Sequence, residues 1–327
     1  MMILRKRFLM KVGIIGAGRV GTSAAFAMIM RGVGRQIVLV DRNAARTAAE
    51  AADLSHAIPF SNPLQVISGG YPDLSDAKIV IITAGASQIP GESRLNLLTR
   101  NAAVFQEIIP QVLRYAPEAI LLVATNPVDV MTHLTAQFAG EYGVPGNRVI
   151  GTGTTLDTAR FRTILGAHLG VDPYHVHAYV LGEHGDSEII PWSPITIGAV
   201  PLNEFCSQWE ICLGEKERQE IDGQVRNAAY HIIEGKGSTF FGIGSAIARI
   251  VEVILNNQRS ILTVCTPLEE AAGIKDVTLS LPQLLGGDGI LNTLHMPLAD
   301  EETSQLNQSA KVIKQALTNL TIHAPAG

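Results

Sequence analysis

Apolar residues in this chain fall into short unbroken runs separated by longer amphipathic stretches, and over the first half the two alternate regularly. Residues 11–15, 36–40, 64–67, 78–83, 119–125 and 148–150 are runs of strand length, several almost wholly apolar. A strand needs that pattern when both faces of its sheet are covered. Between them, 22–30, 44–56, 92–115 and 128–138 carry helical periodicity. Alternating strand and helix predicts a parallel, doubly wound sheet. After Gly151 the texture changes. Residues 151–155 form a hinge-like Gly/Thr run. A helix over 156–169 follows, then a strand-like run over 176–181 and an irregular strand-like stretch over 191–200. Helices are expected over 209–234 and 239–256, the latter packing back on the first unit. Short strands are expected over 260–265 and 277–281, a hairpin turn at 286–289 and a final amphipathic helix over 300–317. The expected organisation is one domain over 10–151 and a second, α+β domain over 152–327.

The first strand ends in Gly16-Ala17-Gly18-Arg19-Val20-Gly21 and a helix follows directly. In that setting the glycines have distinct work: Gly16 for the tight turn, Gly18 for approach of a pyrophosphate, Gly21 for close packing of helix on strand. The phosphates then meet the N-terminal N–H groups of the helix. The second strand ends in Asp41, twenty residues past Gly21. A carboxylate there binds ribose hydroxyls and repels a 2′-phosphate, so NAD is expected over NADP. The first domain is therefore expected to be a Rossmann, NAD-binding domain. Ligands should sit beyond the C-terminal strand ends, near the loops Thr83-Ala84-Gly85 and Thr125-Asn126-Pro127. The stretch from Ala86 to Arg94 is polar, carries a Pro-Gly break and looks like a lid.

Composition narrows the partners. The 327 residues are 46% hydrophobic and 17% charged, with 25 basic and 30 acidic side chains. No long basic run and few aromatics speak for nucleic acid. Cys206, Cys212 and Cys265 have no metal-like spacing, so free thiols and no metal are expected. No run of 18 apolar residues suggests a membrane span. Met1 to Leu9 is basic and apolar but too short for a signal-peptide core, and Met10 could be the start. A soluble, cytoplasmic protein is expected.

Chemistry centres on His184, set between Gly182 and Gly185 after an apolar run. A histidine exchanges protons near neutral pH with little tuning. Asp157 and Arg160 share one helix face at i, i+3, which alone is compatible with a surface salt bridge.

With the motifs Gly91-Glu92-Ser93-Arg94-Leu95, Thr125-Asn126-Pro127-Val128-Asp129, Leu156-Asp157-Thr158-Ala159-Arg160-Phe161-Arg162, Gly182-Glu183-His184-Gly185-Asp186 and Lys236-Gly237-Ser238-Thr239, the chain resembles the L-lactate/malate dehydrogenase family from Met10 to about Leu317. The likeness is greatest to its bacterial lactate-type branch. The resemblance implies an NAD-dependent L-2-hydroxy acid dehydrogenase. It makes His184 the acid/base, Asp157 its orienting carboxylate and Arg94 the lid cation that stabilises charge on the reacting oxygen. Arg160 would fork onto the substrate carboxylate, with Asn126 and Thr239 beside it. Cofactor contacts are carried to Gly16, Gly18, Val20, Gly21, Asp41, Arg46, Gly85, Ala86, Thr125, Asn126 and Thr152.

Gln88 occupies the lid position that meets the far end of the substrate. A neutral side chain there favours pyruvate or lactate over a dicarboxylate, because a second carboxylate would be left unpaired. Malate or another L-2-hydroxy acid is the alternative substrate. Arg162 and His177 match positions that bind fructose 1,6-bisphosphate across a subunit interface in bacterial relatives, which implies an activator and a homotetramer. Ser238 stands where relatives often carry a bulkier residue. NAD-dependent glycosidases, on a related scaffold, use a metal held partly by cysteine; all three cysteines here lie past residue 200.

Overall fold

The computed structural model describes residues 10–86 and 94–320. Six parallel strands are laid down in turn: β1 (Lys11–Ile15), β2 (Gln36–Val40), β3 (Gln65–Ser68), β4 (Ile79–Ile82), β5 (Ile120–Val123) and β6 (Val149–Gly151). Five helices follow or separate them: α1 (Arg19–Arg31), α2 (Ala44–Ala57), α3 (Arg94–Tyr115), α4 (Val128–Gly140) and α5 (Thr155–Leu169). Strand order in space is 6-5-4-1-2-3, so the order reverses between β1 and β4.

Strand side chains alternate between two cores. Ile15, Val80, Ile82, Leu121 and Val123 face a core shared with Phe105, Ile109 and Val112 of α3 and Met131 and Leu134 of α4. Ile14, Ile79, Ile81, Ile120 and Leu122 face the other, with Met28 and Ile29 of α1. Every one of these strand residues is 0–3% exposed, and a fully buried side chain of this size stabilises by roughly 1.5–3 kcal/mol. This two-sided burial is why the runs carry no polar alternation.

The later half adds β7 (Val176–His177), β8 (Thr196–Ile197) and β9 (Val200–Pro201) as a small antiparallel sheet. Helices α6 (Leu202–Gln208), α7 (Glu215–Lys236) and α8 (Phe241–Leu255) come next, and the closing elements are β10 (Ser260–Leu262), β11 (Cys265–Ala271), β12 (Ile274–Ser280), β13 (Gln283–Gly286), β14 (Gly289–Thr293) and α9 (Asp300–Thr318). Helix α8 lays Ile247, Val251 and Ile254 into the same core as α1. A third core gathers Phe161, Leu165, Val176, Val180, Phe205, Ile221 and Val225. The turn expected at 286–289 joins β13 to β14 through a Gly286–Gly289 pair.

Three expectations change. The main sheet is not wholly parallel: β11 and β12 extend it beyond β6 to eight strands through two antiparallel pairings, β6 with β11 and β11 with β12. Their hairpin turns at Ala272 (φ 53°) and Gly273 (φ 77°), and an alanine at positive φ gives no turn signal in sequence. The run 176–181 is a strand only at Val176–His177. Beyond it, Val180 N–H donates to Thr158 Oγ1 and its carbonyl accepts from Thr154 Oγ1, so threonine side chains at the start of α5 replace a strand partner. The helix expected from 209 starts instead at Glu215, where Gly214 N–H donates to Glu217 Oε2 at 2.9 Å, and a separate short helix, α6, precedes it. Among the described residues, no helix is long and apolar enough to cross a membrane.

Candidate active site

The crevice between β1 and β4 lies where the strand order reverses, the place in such sheets where loops part and ligands enter. Gly16 turns with φ 107°, and a Cβ there would lie 2.7 Å from Ala84 N. A Cβ on Gly21 would come within 2.1 Å of Gly16 O, so α1 seats against the turn only through glycine. At Gly18 a Cβ would meet nothing within 4 Å, and Gly18 starts α1 without any side-chain cap. The first N–H groups of α1 are thus left for an anion, and the cradle fits a pyrophosphate. Val20 lies half-buried in the first turn.

Asp41 Oδ2 accepts from Ala17 N–H at 2.9 Å and Oδ1 from Asn43 N–H at 3.0 Å. The carboxylate therefore braces the glycine turn with half of its acceptor capacity, and the rest suits ribose hydroxyls. Arg46 is exposed and lies 3.8 Å from Glu50 along α2. On the other wall, Thr125 Oγ1 donates to Ala84 O at 2.7 Å beside Gly85. Thr152 is buried, its N–H on Val123 O at 2.9 Å. Asn101 of α3, absent from the sequence expectations, ties this wall together. Its Oδ1 accepts from Ala86 N–H at 2.7 Å and its Nδ2 donates to Asn126 O at 3.2 Å. Only the side chain's polarity in an otherwise amphipathic helix hinted at it.

The acid–base cluster forms where α5, α4 and the loop after β7 meet. Asp157 sits in the first turn of α5 and is 2% exposed. His184 Nδ1 donates to its Oδ2 at 2.6 Å, and Arg160 Nη1 donates to its Oδ1 at 2.8 Å. A carboxylate only accepts, so Nδ1 carries the hydrogen and Nε2 is left for a reacting group. The Asp157–Arg160 pair joins a buried carboxylate to a half-buried guanidinium, and is not the surface pair that spacing alone allows. Burial disfavours the charged His184 ring, but Asp157, then Asp129 and Glu188, overrule it and lift the imidazole to about 9. Burial would likewise raise Asp157; the His184 ring and Arg160 outweigh it and hold the carboxyl below its usual range.

Three residues around the His184 turn were not among the expected site residues. Asp129, in the first turn of α4, accepts the His184 backbone N–H at 2.8 Å. Burial lifts its carboxyl to about 6, against the pull of His184. Ser309 of α9 accepts from Glu183 N–H at 2.8 Å. Gly182 passes it at φ 92°, where a Cβ would come 2.5 Å from Ser309 Oγ. Helix α9 thus clamps the turn that presents His184. Glu188 is 4% exposed, and one donor atom each from Asp157, His184 and Glu188 lie within 4.8 Å of one another. Since Nδ1 and Oδ2 bond directly to each other, the trio reads as an acid–base cluster. Asp129 ends one of the quoted motifs, the one sequence signal among the three.

Thr239 is half-buried just before α8. Its neighbour Ser238 accepts through Oγ from Arg19 Nη1 at 2.7 Å, tying this wall to the glycine turn. Gln88 lies outside the described residues, as does the lid from 87 to 93; Arg94 opens α3, but its side chain also lies outside them. Arg162 and His177 stand apart from the cluster. Arg162 Nε donates to Ala178 O at 2.9 Å with its guanidinium 5.0 Å over the Tyr179 ring, while His177 is exposed on β7.

A dinucleotide cradle beside a histidine–aspartate couple with a half-buried arginine defines an NAD-dependent dehydrogenase. Family models for the lactate/malate dehydrogenase NAD-binding domain and alpha/beta C-terminal domain match residues 10–151 and 154–322. The chain is 56% identical over 313 residues to an L-lactate dehydrogenase of Geotalea daltonii, covering 96% of this chain and all of that one. It is 48% identical to the L-lactate dehydrogenase of Thermus aquaticus, over 95% of this chain and 99% of the relative. The crystal structure of the minor L-lactate dehydrogenase from Enterococcus mundtii, in a ligands-bound form, superposes with a TM-score of 0.92 at 39% identity, covering 97% and 100% of the two chains. The chain belongs to the lactate/malate dehydrogenase family.

Proposed function

We propose that this protein is an L-lactate dehydrogenase that reversibly reduces pyruvate to (S)-lactate. The observation that carries this function is the 2.6 Å hydrogen bond between His184 Nδ1 and Asp157 Oδ2, with Arg160 on the other carboxylate oxygen. Relatives named as L-lactate dehydrogenases, up to 56% identical, support the choice of substrate.

NADH supplies the hydride when bound, held by the glycine turn, Val20, Asp41, Arg46, Gly85, Ala86, Thr125, Asn126 and Thr152. The donors of Arg160 not spent on Asp157 fork onto the substrate carboxylate. His184 donates its Nε2 proton to the carbonyl oxygen and retrieves it in the reverse direction. Asp157 stabilises the imidazolium before transfer and holds the tautomer afterwards. Arg94 balances the negative charge that grows on that oxygen, and Asn126 orients it. Gln88 and Thr239 shape the space for a methyl group. A second carboxylate against Gln88 would be left unpaired, at a cost on the order of 3–5 kcal/mol.

Arg162 and His177, paired across a two-fold axis of a homotetramer, would take fructose 1,6-bisphosphate as activator, and the protein would work in the cytoplasm. A panel of pyruvate, oxaloacetate and branched 2-oxo acids, with NADH or NADPH and with or without the bisphosphate, tests all of this. Highest kcat/KM for pyruvate with NADH is expected, with a lower apparent KM for pyruvate when the bisphosphate is present. Preference for oxaloacetate would refute the role of Gln88, and an unchanged KM at pH 6 would remove the activator.

A further inference from the structure

Glu188 is a charged-type side chain in a place where charge is hard to keep. It is 4% exposed, and its Oε1 is buried with no hydrogen-bond partner. One of its carboxyl oxygens lies within 4.8 Å of an Asp157 oxygen and of a His184 ring nitrogen. Two carboxylates sharing one buried site do not both ionise readily. An unpartnered oxygen adds to the cost when it is anionic and costs much less when it is the carbonyl of a neutral acid.

The groups around it come from every neighbouring element. Asp157 and Arg160 face it from α5, and His184 from its own loop. From α7, Arg218, Asp222 and Arg226 line the same cleft of about 490 Å³, as does Glu302 from α9. The cations among them are largely engaged. Arg226 donates to the main-chain carbonyls of Glu188 (2.6 Å) and Asp186 (3.2 Å), and Arg160 to Asp157. Glu302 is committed to Trp192 and Ser193 main-chain N–H groups. No cation bonds to the Glu188 carboxyl itself among the described residues.

We propose that Glu188 is a positioning residue for the proton on His184: its buried carboxyl, sharing the site with Asp157 and bonded by no cation among the described residues, stands as a neutral acid beside the couple, and once ionised it adds a second negative charge that holds His184 protonated over a wider pH range. Burial and the negative charge of Asp157 push the Glu188 carboxyl up to about 8, just below the about 9 of the imidazole. Once the carboxyl is ionised, His184 titrates beside two carboxylates as one coupled set.

The test is a pH titration of the histidine ring signals in the unliganded full-length chain by NMR, with His184 assigned by its loss in His184→Asn. Glu188→Gln, which keeps shape and removes the ionisation, should lower the His184 midpoint, by less than loss of the Asp157 charge does. Glu188→Asp, which restores a carboxyl, should recover part of the shift. The alkaline limb of pyruvate reduction should move down in step. A midpoint that stays in place in Glu188→Gln overturns the proposal, whatever happens to activity, since a purely structural role would lower rates without moving the titration. In the wild-type chain, the infrared stretch of a protonated carboxyl should disappear around pH 8; its absence at pH 7 also overturns the proposal and needs no folded variant. The inference rests on His184 being the acid/base, but the ring titration uses no substrate, so a different preferred 2-oxo acid would leave it standing.

Discussion

Replacing Asp157 by asparagine removes one negative charge 2.6 Å from the His184 ring while keeping the shape of the site. The magnitude follows from the proton affinity that the cluster gives His184. The ring is lifted from 6.5 to about 9, with Asp157 the largest attractive cause and burial working against it. A lift of that size corresponds to about 3 kcal/mol of preference for the protonated ring. Without Asp157, burial dominates and the ring should titrate at or below 6.5. An amide can also donate to Nδ1 and so favour the wrong tautomer. At pH 7 a ring titrating at about 6.5 is only about a quarter protonated, a loss of about fourfold, and the wrong tautomer should carry the total fall in kcat/KM for pyruvate to on the order of 10²-fold or more. The assay is NADH absorbance at sub-saturating pyruvate, repeated from pH 5 to 9. The variant's profile should decline from about pH 6, whereas the wild-type profile should hold well above neutrality. A loss smaller than tenfold with an unmoved alkaline limb would refute the electrostatic role given to Asp157.

Further consequences can be checked separately. Asn101→Ala strands the Ala86 N–H and the Asn126 carbonyl; a destabilisation of about 1–3 kcal/mol in urea melts and a raised KM for NADH are expected. Asp41→Ser removes both the brace on the glycine turn and the charge that opposes a 2′-phosphate, so the NADH:NADPH ratio of kcat/KM should fall by tenfold or more. The His184–Asp157 pair also stabilises the fold within a pH window. Because the folded His184 value lies above 6.5, its contribution is complete below 6.5 and is lost as pH rises through about 9. Because the folded Asp157 value is depressed, its contribution is present above 3.8 and is lost as pH falls through that folded value. Thermal melts of wild type should therefore weaken between pH 6.5 and 9 more than those of His184→Asn.

The dinucleotide half was readable from sequence because its constraints are local. Gly16, Gly18, Gly21 and Asp41 are fixed by one turn and the next strand end, and two-sided burial leaves unbroken apolar runs that betray the strands. The couple was half readable. Asp157 and Arg160 are one helical turn apart, but their meeting with His184 spans 27 residues and needs the loop after β7. Asp129, Glu188 and Ser309 were missed for the same reason. As sequence, Asp129 is an ordinary first-turn acid, Glu188 an acid in a polar turn and Ser309 a small polar residue in an exposed-looking helix; burial and proximity give them meaning. The β11–β12 hairpin escaped notice because its turn uses Ala272 where asparagine or glycine would have announced it.

His184 moves the proton, and the glycine cradle only binds. Measuring NADH affinity by fluorescence and pyruvate reduction by absorbance in His184→Asn separates the two. NADH affinity should stay within about twofold of wild type while kcat/KM falls by about 10²–10⁴. Activity retained within tenfold, or NADH affinity lost together with activity, would contradict it.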